Sequence, residues 1–222
     1  MVYKRKTPLV NGQVYHVFNK SISRFKIFKH ETDFSRIVAT IRYYQREKPP
    51  VKFSGFARLK RSDKNFSGTT VSCNRSKLVE IIAYCIMPTH LHLILTQLKD
   101  TGITILMRNI LNSYARYFNI KHKRKGPLWE GRFKNVLVKT DEQLLHLTRY
   151  IHLNPVTASL VSKPEDWLAS SYREYIGEVE DSDRICKYAD ILKIEPNSYR
   201  DFVLDGISYQ RELAKIKALL ID

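Results

Sequence analysis

The chain has 222 residues, 43% of them hydrophobic, which suits one substantial core or one core with a small appendage. No run approaches the roughly 18 consecutive apolar residues of a membrane span, and the basic opening, MVYKRKTPLVNG, lacks the apolar stretch of a signal peptide, so a cytoplasmic protein with no membrane partner is expected. The formal charge of +16 is segregated: residues 1–164 carry 30 basic and 9 acidic side chains, residues 165–222 carry 8 and 13, so a polycationic body suited to phosphates joins an acidic end.

In chain order, GQVYHVFNKS (12–21) follows an Asn-Gly turn and is rich in β-branched and aromatic residues, which predicts a first strand. Residues 32–48 place Phe34, Ile37, Val38, Ile41 and Tyr44 at helical spacing, and Pro49-Pro50 should stop that helix. The mixed basic stretch 51–76 reads as an irregular excursion or hairpin. LVEIIAYCIM (78–87), apolar on both faces, suits a central strand, and Pro88-Thr89 makes a tight break before HLHLILTQ, so the two strands should be antiparallel neighbours.

Ile103, Leu106, Met107, Ile110, Tyr114, Tyr117 and Phe118 stripe a helix over 101–119. A basic loop, KHKRKG, leads into PLWEGRFKNVLVKT, which returns toward strand. A third helix opens at Thr140 or Asp141 and should end at Asn154-Pro155. Short helical patterns follow in the acidic end, the clearest being SYQRELAKIKALL. The three cysteines, Cys73, Cys85 and Cys186, are odd in number and outside any CxxC spacing, which points to neither a disulfide framework nor a zinc ribbon. This order of strands and helices predicts an α+β sandwich with a mostly antiparallel sheet and helices on its faces.

Two imidazoles interrupt the otherwise apolar MPTHLHLILT. Side chains alternate along a strand, so Leu91, Leu93 and Leu95 share one face and His90, His92, Ile94 and Thr96 the other. The histidines then sit roughly 7 Å apart along the strand. Two interpretations are open: a structural pair, or half of an ion site built from neutral imidazoles. Two ligands do not close a site, and acids are scarce in the basic body, which turns attention to DEQLLHLTRYIHLN (141–154). Leu144, Leu147, Thr148 and Ile151 form its apolar stripe, while His146, Tyr150 and Asn154 climb a separate row. A phenol and an amide one turn apart would set a nucleophile beside an ion, although Asn-Pro is also an ordinary helix terminator.

MPTHLHLIL, an amphipathic helix, KGPLWEGRFKN, RYIHLNPV and WLASSY, in that order over residues 12–176, resemble the REP-associated tyrosine transposases, a branch of the single-tyrosine HUH endonucleases within the IS200-like transposase superfamily. The resemblance implies a ferredoxin-like sandwich over residues 1–178, with 51–76 an insertion and 179–222 a small helical C-terminal extension. It implies that His90 and His92 bind a divalent ion, Mg²⁺ or Mn²⁺, that Asn154 completes that site, and that Tyr150 is the nucleophile. The implied substrate is single-stranded DNA beside a hairpin, cut to leave a 5′-phosphotyrosine link and a free 3′-OH, by a monomer or homodimer.

Lys121, Lys123, Arg124, Lys125, Arg132 and Lys134 are candidate phosphate contacts, with Trp129 and Phe133 candidate base-stacking platforms or core residues. A second hypothesis is a non-catalytic DNA- or RNA-binding protein derived from such an enzyme. A third is a replication- or conjugation-type nickase, which would carry a three-histidine site. His16, Glu130 and Arg132 are further residues for which structural and site roles are equally open.

Overall fold

The computed structural model describes residues 5, 7–62 and 76–212. Four strands, β1 (Val14–Lys20), β2 (Val79–Met87), β3 (His90–Gln97) and β4 (Lys134–Val138), form one sheet in the order β2-β3-β1-β4. Every neighbouring pair is antiparallel. Pro88-Thr89 turns β2 straight into β3, pairing Met87 with His90. The Pro88 carbonyl, which faces no helix or ladder partner of its own, accepts the Ile27 and Phe28 N–H groups.

The central strand meets the alternation expected of it. Leu91, Leu93 and Leu95 have no solvent exposure, each contributing about 1.5–3 kcal/mol of burial. Helices α1 (Glu31–Tyr44) and α3 (Gly102–Lys121) pack on each other, and α3 packs on β2 and β3. Helix α4 (Asp141–Thr157) lies against β2 and brings Tyr150 to the histidine face. Its start is fixed reciprocally: the Thr140 hydroxyl accepts the Gln143 N–H at 3.1 Å, and the Gln143 amide accepts the Lys139 N–H at 2.8 Å.

Residues 167–171 close the outer edge of β2, which would otherwise offer unpaired backbone groups. Ile86 N–H donates to the Ala169 carbonyl at 2.9 Å, and Ser171 N–H to that of Tyr84 at 2.9 Å. Beyond a short turn, α5 (Tyr172–Tyr175), the chain reaches α6 (Pro196–Asp205), and residues 207–212 are again helical. Tyr199 and Val203 of α6 are fully buried in the same core as the sheet.

Four expectations about the chain path are corrected. The run 78–87, expected to be a central strand, is the edge strand β2; it is apolar on both faces because α3 and α4 pack on it and residues 167–171 cover its outer edge. The first helix stops at Tyr44, before the prolines, because Arg46 forms a bridge with Lys77 and Glu47 N–H donates to Ser76. Residues 53–62, expected to be irregular or a hairpin, form helix α2 (Phe53–Ser62), with the Phe53 and Phe56 rings against Tyr43. Pro155 does not stop α4, which continues to Thr157. With only two helical residues beyond it, Pro155 deprives a single carbonyl, that of Ile151, of its usual i+4 donor, and Leu160 N–H returns to the Pro155 carbonyl at 2.9 Å. Cys73, most of the 51–76 insertion beyond Ser62, and the last residues of SYQRELAKIKALL lie outside the described residues.

Candidate functional site

The register of the sheet assembles the site. Phe18 of β1 pairs with His92, Lys20 with His90, and on the other side Cys85 of β2 pairs with His92. His90 and His92 therefore project from one face with their ring centroids 5.0 Å apart at 86°. The Tyr150 ring, carried by α4, stands edge-on to His92 with centroids 6.2 Å apart. Tyr150 remains 39% exposed, so its phenol has access to a large substrate.

Burial sets the protonation of this face. It lowers the pKa of His90 and of His16 to about 4, Lys20 adding a repulsive charge at His90. His92 is held well below the ordinary value, by burial first and then by its imidazole neighbours and Lys20. All three rings are neutral near pH 7 and keep a lone pair for a proton or a cation. Burial, and then Cys85, raises the pKa of the Tyr150 phenol. The phenol therefore needs outside help to ionise.

Hydrogen bonds fix how the histidines are presented. His90 Nδ1 lies 2.9 Å from the Thr89 hydroxyl, and His92 Nδ1 lies 2.9 Å from His16 Nε2. In both rings Nε2 is the nitrogen left over. Asn154, one helical turn beyond Tyr150, is 9% exposed and its Nδ2 has no hydrogen-bond partner among the described residues. An amide turned over would present its oxygen at that buried position. No three His, Cys, Asp or Glu side chains form an ion cage among the described residues.

The C-terminal residues hold the helix that carries Tyr150. Gln210 Nε2 donates to the Tyr150 carbonyl at 3.0 Å. Arg149 donates to the Phe202 carbonyl at 3.3 Å and lies 4.2 Å over the Phe202 ring. His152, two residues past the tyrosine, is fully buried between the Tyr199 hydroxyl at 2.7 Å and Ser171 Oγ at 2.8 Å.

The basic residues divide. Lys121 is ion-paired at 2.6 Å with Asp33, which has no solvent exposure. Trp129 packs on Phe28 and Tyr114, and its indole N–H donates to the Leu111 carbonyl at 3.0 Å. Both side chains thus have roles inside the fold. Arg124 bonds Asn119 and the Pro127 carbonyl and so pins its own loop. Lys123, Lys125, Arg132 and Lys134 are exposed; Lys134 sits on edge strand β4 opposite Phe18, on the histidine face.

Thr89 and Lys20 belong to the surroundings of the site and were not singled out from the sequence. Thr89 is legible only as the residue before the pair, and Lys20 only once the β1–β3 register is known.

Residues 60–154 match the family described as transposase IS200-like. A Haemophilus influenzae protein named "Putative REP-associated tyrosine transposase" is 31% identical over 104 residues, 42% of this chain and 58% of that protein. The Escherichia coli REP-associated tyrosine transposase is 25% identical over 103 residues, 46% of this chain and 59% of its own length. This chain thus spans under three fifths of either relative. The fold aligns with the solved structure of a REP-associated tyrosine transposase bound to a REP hairpin, with a TM-score of 0.53 and 17% identity over 84% of this chain and 93% of that one.

Proposed function

We propose that this chain, which carries an IS200-like transposase domain over residues 60–154, cuts and rejoins single-stranded DNA at or near a hairpin through Tyr150. The observation that carries the proposal is a partly exposed phenol edge-on to His92, the buried member of a neutral histidine pair. In the reaction the Tyr150 oxygen bonds to phosphorus and the bond from phosphorus to the 3′-oxygen breaks. The phenol proton is lost to solvent, and the departing oxygen takes one up to become a free 3′-OH. The 5′ end stays attached as a phosphotyrosine ester, and attack by another 3′-OH reverses the step, so no nucleotide triphosphate is required.

The side chains present fit a divalent ion, Mg²⁺ or Mn²⁺. His90 and His92 each have Nδ1 engaged and Nε2 free to ligate, and Asn154 offers a buried amide with an unpartnered end. When bound, the ion would stabilise charge on the scissile phosphate and favour the phenolate. Three neutral ligands would leave the ion's charge uncompensated, and a DNA phosphate would supply the negative charge. Lys20 supplies a second cation on this face, suited to a phosphate oxygen.

The test is incubation with single-stranded hairpin oligonucleotides and Mn²⁺. Cleavage that chelator abolishes, and that His90→Ala reduces at least a hundredfold, is the expected result. Cleavage indifferent to chelator would refute the ion's role. Specific hairpin binding with no cleavage under any metal would favour a binding protein derived from such an enzyme.

A further inference from the structure

We infer that His16, a residue outside the proposed ligand set, is a positioning residue: it fixes the tautomer of His92 and thereby turns His92 Nε2 into a ligand. The inference rests on the ion proposed above. His16 Nε2 and His92 Nδ1 are 2.9 Å apart. The two rings are nearly coplanar, at 18°, with centroids 5.1 Å apart. That separation equals the nitrogen contact plus the two ring radii, so the imidazoles meet edge to edge along one line. Lone pairs of imidazole nitrogens lie in the ring plane, so these two nitrogens aim at each other with a single hydrogen between them.

Two consequences follow from that geometry. Nitrogens facing each other do not converge on a third atom, so His16 is not a third ligand; among the described residues no three His, Cys, Asp or Glu side chains share a cage. The position of the bridging hydrogen then decides what His92 can do. With the hydrogen on His92 Nδ1, the other nitrogen of that ring keeps its lone pair and can ligate. With it on His16 Nε2, His92 Nε2 carries its own hydrogen and is closed to an ion. His16 must therefore act as the acceptor, the same role the Thr89 hydroxyl, 2.9 Å from His90 Nδ1, would take if His90 ligates through Nε2. Phe18, its ring centroid 5.0 Å from His16 and 6.0 Å from His92, walls the pair in and restricts rotation of either ring. Partners of this kind, which orient a ligating histidine, change metal affinity by about 10–100-fold.

Two measurements test this without relying on activity. Long-range ¹⁵N–¹H correlation spectra of the metal-free, ¹⁵N-histidine-labelled protein should assign His92 as the Nδ1–H tautomer. The Nε2–H tautomer would overturn the inference, whatever the variants do. Mn²⁺ titration followed by electron paramagnetic resonance should give an affinity that His16→Phe lowers about 10–100-fold. His16→Gln, which keeps an acceptor oxygen, should restore it to within about threefold, with urea unfolding confirming that both variants are folded. A folded His16→Phe protein that binds Mn²⁺ like the wild type, or an equal loss in both variants, refutes the positioning role while leaving the ion site standing. If the wild type shows no Mn²⁺ binding that His90→Ala removes, the ion site itself fails and takes this inference with it.

Discussion

Replacing His152 by phenylalanine tests whether the helix that carries Tyr150 is anchored by a buried polar strut. The imidazole joins the Tyr199 hydroxyl at 2.7 Å to Ser171 Oγ at 2.8 Å, with no solvent exposure at any of the three residues. Phenylalanine is larger than histidine, so no cavity forms, and the lost polar contacts set the minimum cost, to which any overpacking adds. Ser171 Oγ keeps the Tyr84 N–H at 2.9 Å and the Tyr84 carbonyl at 3.2 Å, and Tyr199 keeps Thr148. Two lost hydrogen bonds at about 1 kcal/mol each, with partial desolvation of the Tyr199 hydroxyl, give a destabilisation of about 2–3 kcal/mol. In urea, with a slope of about 2 kcal/mol per molar, the midpoint should fall by about 1–1.5 M. A double-mutant cycle with Tyr199→Phe should return a coupling of at least about 1 kcal/mol. A loss below about 0.5 kcal/mol with no coupling would refute the strut.

Other consequences can be checked independently. Lys121→Met removes the cation from buried Asp33 and should cost about 1–2 kcal/mol at pH 7, a moderate figure because Lys121 is itself partly exposed. Burial alone would raise the Asp33 pKa, but Lys121, the His30 and Lys29 N–H groups and Tyr117 together hold it below the ordinary value. The wild-type advantage is therefore present above the unfolded pKa of about 3.9 and closes as pH falls through the lower folded value; a gap between wild type and variant that is independent of pH in urea titrations contradicts this. Gly102→Ala would ordinarily favour a helix by up to about 1 kcal/mol. Here the added Cβ meets the Leu78 carbonyl oxygen, so a destabilisation of about 1–3 kcal/mol is expected, and a raised melting temperature would disprove it. Lys123→Ala, Lys125→Ala and Lys134→Ala should each weaken single-stranded DNA binding whatever the base sequence. Each should also reduce the slope of log affinity against log salt by about 0.7, measured by fluorescence anisotropy; an unchanged slope removes that lysine from the interface.

Legibility from the sequence followed the range of the forces involved. The apolar run of β2, the alternation of β3 and the apolar stripe of α3 are local patterns, and each was found within a residue or two. Tyr150 was separable from its helix because it lies off the stripe of Leu144, Leu147, Thr148 and Ile151; of its own row, His146 and Tyr150 are exposed and Asn154 is buried.

What could not be read was set by contacts distant in sequence. The His16–His92 bond spans 76 positions and depends on strand register, and Lys121 finds Asp33 across 88. Helix α2 was missed because only Phe53, Phe56 and Ala57 mark its buried side, among Gly55 and charged neighbours. Pro155 misled because the helix outlasts it by only two residues, so the lost donor affects one carbonyl and does not break the helix there. His152 carries no sequence signal beyond lying off the tyrosine's row, yet it ties the helix to the rest of the core.

The central claim is that the Tyr150 oxygen becomes bonded to DNA. After reaction of the full chain with a hairpin oligonucleotide and Mn²⁺, intact-mass and peptide mass spectrometry should find a 5′-phosphonucleotide adduct on the peptide containing Tyr150, absent from Tyr150→Phe. An adduct of normal yield in that variant, or one mapped to another of the thirteen tyrosines, would contradict the account.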